Sequence, residues 1–282
     1  MPIREKGYHG WNGDLKEKGI KWLPIFITGI KAVYRKKRAK LLFAFPTVIF
    51  LVFLLLAYAL AKPELKMFEQ AIREITSEAF FFNTFFTAGP LIFAMLLLSF
   101  FTGAHLISGD LKFKSFTLYL ARPLSKFDYI KGKFSIVLFY LLLFTLVPGL
   151  LLMVGKTIFT GQFNIPIRVL IGSLIFPIIV AFFFASTILM FSSISKNYRV
   201  VVILFFTFYF LSDGVALTFA ESLKNDYFWY LSLRQNIIQL GTFIFNTRPE
   251  FNAPSWISGA VLISLTLVFM IVISWRLKRA EV

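Results

Sequence analysis

The chain has 282 residues, 58% of them hydrophobic, with no Cys and a formal net charge of +16, and its mean hydropathy is +0.76. That apolar share exceeds the roughly 45–50% usual in soluble domains, and it lies in long runs, as in membrane spans rather than one soluble core. The lack of Cys excludes disulfides and thiol catalysis, two distant histidines (His9 and His105) cannot make a His/Cys zinc site, and Lys and Arg lie between apolar runs, where topology explains them better than nucleic acid does.

Residues 1–40 read as a cytoplasmic segment, too long, polar and basic to be the start of a cleavable signal peptide. Within it Ile20, Leu23, Ile27, Ile30 and Tyr34 recur at helical spacing, with Lys31, Arg35, Lys36, Lys37, Arg38 and Lys40 crowding the membrane-proximal end. This pattern predicts an amphipathic helix in the interface, its cations near anionic headgroups.

A bilayer core about 30 Å thick needs about 20 apolar residues in helix. Six segments qualify, within a transmembrane domain spanning 41–275: 41–61, 84–107, 134–155, 169–194, 200–220 and 256–275. Residues 276–282 read as a cytoplasmic tail. The fold expected is an all-α membrane protein of six transmembrane helices. Of the 30 Lys and Arg, 22 lie in the N-terminal segment, the loop after span two, the turn after span four and the C-terminus. By the positive-inside rule that side is cytoplasmic, and both termini lie there. Pro46, Gly89-Pro90, Pro148-Gly149 and Pro177 punctuate the spans and read as kinks that neighbouring helices satisfy.

The loop 108–133 is too patterned for a simple turn. Gly109 is suited to end span two and Asp110 to cap the next helix. Phe113, Phe116 and Leu120 fall on one helical face, and Arg122-Pro123 breaks it. Ser125-x-x-Asp128 is a capping-box pattern that starts the helix leading into span three. Exposed aromatics on such a loop invite a protein partner, or else rest on the bilayer surface. Residues 221–255, rich in Phe, Trp, Tyr, Leu and Ile, predict short external helices that dip into the outer leaflet or cap the spans. Asp213, followed by Gly214, is the one Asp, Glu, Lys or Arg inside the six segments. Such a group is a functional candidate by default; the structural alternative is that it caps a broken helix or reaches outer water.

The run Ile107-Ser108-Gly109-Asp110, then Thr117 to Lys126 (Thr-Leu-Tyr-Leu-Ala-Arg-Pro-Leu-Ser-Lys), ending Lys131-Gly132-Lys133-Phe134, resembles ABC-2 type transporter permeases. Members commonly carry an acid leaving span two, a Leu-rich helix, an Arg-Pro-hydrophobic-Ser-basic turn and a Gly-Lys start to span three. Where they often have Glu residues, a Gly-Thr pair and a further Glu, this chain has Lys112, Lys114, Ser115 and Thr117, so the loop's charge is inverted. The resemblance implies a permease subunit, an exporter, in the cell membrane of a prokaryote and paired with a second copy or homologue. It also implies that the loop, through Asp110, Phe113, Phe116, Leu120, Arg122 and Ser125, meets a separate ATP-binding cassette subunit that holds ATP and Mg. This chain would bind no cofactor and be no enzyme itself: Gly149 to Thr157 reads Gly-x5-Gly-Lys-Thr, one residue too long for a phosphate-cradling loop, with Leu-Leu-Leu-Met-Val inside it. The remaining partner expected is membrane lipid. Two other classes stand beside this reading: an intramembrane enzyme acting on lipid or peptide, and an ATP-independent channel or membrane scaffold.

Overall fold

The computed structural model describes residues 20–62, 77–115, 124–161 and 165–279. Ten α-helices are described: α1 (Leu23–Tyr34), α2 (Lys37–Leu60), α3 (Glu78–Thr87), α4 (Gly89–Gly103), α5 (Ser108–Lys112), α6 (Lys126–Thr160), α7 (Ile167–Ile194), α8 (Tyr198–Leu223), α9 (Leu233–Phe245) and α10 (Trp256–Arg279). A 3-10 turn, Asp226–Leu231, precedes α9. Six stretches are long and apolar enough to cross a membrane: Leu42–Leu60, Glu78–Lys112, Lys126–Thr160, Ile167–Ile194, Tyr198–Leu223 and Trp256–Leu277. The chain is a multi-pass, all-α membrane protein.

The spans do not share the interior equally. Spans two and four are 67% buried over their most apolar stretch, span three 50%, and spans one, five and six 17%, 22% and 28%, so the second and fourth form the centre, the third lies beside them, and the first, fifth and sixth form the periphery. Lipid tails are as apolar as Leu, so spans associate through close packing rather than a hydrophobic drive. Gly103 shows how: a Cβ there would stand 2.6 Å from Ile188, so the glycine lets α4 and α7 approach.

The second span departs from the single run predicted at 84–107. Ser77 caps α3 by accepting the Phe80 N–H at 3.3 Å. Ala88 is then extended, and Pro90 sits in the first turn of α4, where its missing N–H would have had no helical partner anyway. Regular helix stops again at Gly103, not at Gly109, which lies inside α5. The reason is a hydroxyl from another span. Ser192 Oγ accepts the N–H groups of Ile107 at 3.1 Å and Ser108 at 2.9 Å and donates to the Ala104 carbonyl at 2.9 Å. The backbone can therefore unwind at 104–107 without leaving those buried groups unpaired. Pro46, Pro148 and Pro177, by contrast, lie inside unbroken helices.

α1 carries two faces rather than one. Ile25 and Val33 are buried against α6, beside Gly29, where a Cβ would fall 2.1 Å from Ile136. Tyr140 Oη donates to the Ile30 carbonyl at 2.9 Å, and the Lys131 ammonium lies 5.3 Å from the Trp22 ring. Of the row predicted to be apolar, Ile20, Leu23, Ile27 and Tyr34 stay exposed while Ile30 is half-buried against Val33, Ile136 and Tyr140, as suits a helix packed on protein along one side and on lipid along the other.

Candidate functional site

The structure places the two stems of the 108–133 loop side by side. Asp110, on α5, meets Lys133, about two turns into α6, at 2.7 Å. The Tyr129 hydroxyl donates to the same carboxylate oxygen, also at 2.7 Å. Lys133 and Asp110 side chains are only 8% and 17% exposed, and Tyr129 is fully buried. A buried charge is tolerable only when paired and hydrogen-bonded, and this carboxylate has both. Asp110 is thus a brace between the stems, not the cap predicted for it.

Ser125 does cap α6. Its hydroxyl accepts the Asp128 N–H at 3.1 Å, while the Asp128 carboxylate accepts the Ser125 N–H at 3.2 Å and its hydroxyl proton at 2.7 Å. This is the reciprocal capping box that the Ser-x-x-Asp spacing predicts. Between the stems, just past the end of α5, Lys114 adopts the left-handed conformation at φ 54°. Two aromatics then stand out from the structure: Phe113 is 72% exposed and Phe127 69%. Phe116, Leu120 and Arg122 lie outside the described residues. The geometry is that of a loop whose ends are fixed by an ion pair, a capping box and the Ser192 hydroxyl, and which presents aromatic side chains.

The basic end of the bundle also carries His105, whose ring stacks on Tyr198 at 4.3 Å. Asp213 belongs to the opposite end. It lies fifteen residues beyond Tyr198 on the unbroken helix α8, about 22 Å along the axis at ~1.5 Å per residue. His105 and Asp213 cannot form one catalytic dyad. Nor does Asp213 cap a break in its own helix. It accepts a hydrogen bond from Ser232, the N-cap of α9, and faces Arg234 at 3.8 Å, while Ser212 accepts the Leu233 N–H at 3.2 Å. The membrane acid thereby tethers the start of α9 to span five.

The 221–255 segment caps the spans, as its apolar composition predicts. α9 buries Ile237, Leu240 and Phe245 against α3, α7 and α10. Gln239 organises the loop after α9: its amide donates to the carbonyls of Phe251 at 3.3 Å and Ala253 at 3.2 Å and to Ser255 at 3.0 Å, and its oxygen accepts the Glu250 N–H at 2.8 Å. Arg168 closes the end of α9 through the carbonyls of Ile244 at 2.9 Å and Phe243 at 2.8 Å. Burial, and then neighbouring Tyr227, pushes the Tyr230 phenol above its usual range, keeping it a donor to the Pro254 carbonyl at 2.7 Å. At the same end Lys156 pairs with Glu78 at 2.9 Å, joining spans two and three a second time.

Sequence reasoning singles out Asp110 and Ser125 but not the partners that give Asp110 its role, Lys133 and Tyr129, nor Ser192. A signal for Lys133 exists, because an acid leaving one span and a lysine starting the next are natural partners across a hairpin. Ser192 gives none, since its function depends on which helix it faces. No family model matches the chain, and no curated protein matches it.

Proposed function

We infer that this chain is the membrane-spanning subunit of an ATP-driven transporter of the ABC-2 kind, an exporter by resemblance, working as a pair of permease chains with separate ATP-binding subunits. The observation that carries the reading is the loop between spans two and three: its stems are braced by Asp110, Lys133 and Tyr129 while Phe113 and Phe127 project from it. A loop that receives force must pass it to the spans rather than flex, and a buried ion pair at its base supports that. Exposed aromatics are the side chains enriched where protein partners bind. The braced stems continue into α6 and, through the turn held by Ser192, into α4, so a push on the loop would reach the second, third and fourth spans together. In this reading the basic end faces the cytoplasm and ATP hydrolysis belongs to the partner.

The test is co-purification from native membranes. The wild-type chain is expected to bring with it a protein containing Gly-x4-Gly-Lys-Ser/Thr, and Phe113→Asp with Phe127→Asp to lose that protein while the membrane chain remains folded. Recovery of no such protein with the wild type, or its undiminished recovery with the double variant, overturns the assignment.

A further inference from the structure

Span two, though central, is not wholly covered. In α4 beyond Pro90, every residue is buried except Phe93, Leu97, Phe100 and Phe101. Steps of four, three and one put these on one helical face. Phe45 of α2 meets Phe93 edge-on at 6.4 Å on one side, and Phe206 of α8 meets Phe100 edge-on at 5.9 Å, with Phe210 stacked on Phe206 at 6.3 Å. The stripe is thus the floor of an aromatic furrow between spans one and five. From Phe93 to Phe101 it runs about 12 Å at ~1.5 Å per residue, within the ~15 Å of one leaflet's hydrocarbon.

The furrow ends in positive charge. The Lys36 ammonium lies 5.6 Å from the centre of the Phe101 ring, and His105, in the turn just past the end of α4, stacks on Tyr198. Lys36 and Lys112 both lie within Coulombic reach of the His105 ring. All four side chains are exposed. The acid of α5, Asp110, is already engaged by Lys133 and Tyr129. Like charges gathered at the mouth of an apolar channel repel one another, and an anion placed among them is attracted by each.

We propose that this furrow binds an anionic phospholipid, its phosphate among Lys36, Lys112, His105 and Tyr198 and an acyl chain along Phe101, Phe100, Leu97 and Phe93. Both halves are needed to select that ligand. Free phosphate would use the cations and leave the furrow empty, whereas a neutral lipid would use the furrow and leave the cations uncompensated. The proposal stands apart from the transport assignment, since it needs neither a motor subunit nor a second copy.

Native mass spectrometry of the purified full chain, given phosphatidylglycerol or phosphatidylcholine with identical acyl chains, tests it. The wild type is expected to retain phosphatidylglycerol in preference. Lys36→Gln with Lys112→Gln should weaken that retention about thirtyfold, from roughly fivefold per cation near a membrane surface. Lys31→Gln with Lys196→Gln, which removes the same charge elsewhere at this end, should leave most of it, and Lys36→Arg with Lys112→Arg should bind as the wild type does. Equal losses in the two Gln pairs, equal retention of both lipids by the wild type, or displacement of phosphatidylglycerol by millimolar inorganic phosphate would each overturn the proposal.

Discussion

Replacing Lys133 with Met removes the ammonium from a pair in which both side chains are largely buried, at 8% and 17% exposure, and leaves the Asp110 carboxylate only the Tyr129 hydroxyl among the described residues. Breaking a buried pair by removing one partner costs about 3–5 kcal/mol. The retained tyrosine hydrogen bond and the residual exposure of Asp110 place this case at the lower end, about 3 kcal/mol. Asp110→Asn should cost about 2 kcal/mol, because an amide oxygen still accepts from Lys133 but no longer balances its charge. The double variant buries no charge at this point, so its cost should be only about 2 kcal/mol, well below the sum of the single changes. The assay is unfolding of the purified chain in mixed detergent micelles, carried around the full cycle. A coupling energy near 3 kcal/mol is expected, and single effects that add to within ~0.5 kcal/mol would show that the two groups do not brace the loop.

Ser192→Ala should cost about 3 kcal/mol in the same assay, since two buried N–H groups lose their acceptor, whereas Ser193→Ala, whose hydroxyl bonds only within its own helix, should cost under ~1 kcal/mol. At Gly132 a Cβ would stand 2.9 Å from Ile25 and 3.2 Å from the Trp22 carbonyl, so Gly132→Val should push α1 off α6 at a cost of roughly 1–3 kcal/mol, read as faster hydrogen exchange across Leu23–Tyr34. Gln239→Leu removes four hydrogen bonds from the loop after α9, and should speed exchange of the Glu250 amide while the α4 amides keep their protection.

The spans are legible because twenty apolar residues in a row have few other stable uses, and each predicted stretch overlaps one of the six long apolar helical stretches. The second span is less so. Its breaks depend on Ala88, whose extended backbone nothing local marks except the adjoining Gly-Pro, and on Ser192 reaching in from span four. The capping box at Ser125 is readable because it closes within four residues. The Asp110–Lys133 pair spans the whole loop, and the register that joins them is set by the packing of α4, α6 and α7. For α1 the periodic row is visible but its direction is not: all of the apolar stripe but the half-buried Ile30 is exposed, and the protein-facing side runs through Ile25, Gly29 and Val33. Asp213 stands out as the lone acid of the predicted stretch 200–220, but its partners Ser232 and Arg234 come from a segment whose path the sequence leaves open.

Docking of a motor subunit on the loop between spans two and three is the centre of the proposed function. Photo-crosslinking in intact cells, with a benzophenone side chain at Phe113 or Phe127, tests it most directly because both positions project from the structure. A covalent adduct with a protein carrying Gly-x4-Gly-Lys-Ser/Thr is expected from both positions. Adducts with lipid alone from both positions would contradict it.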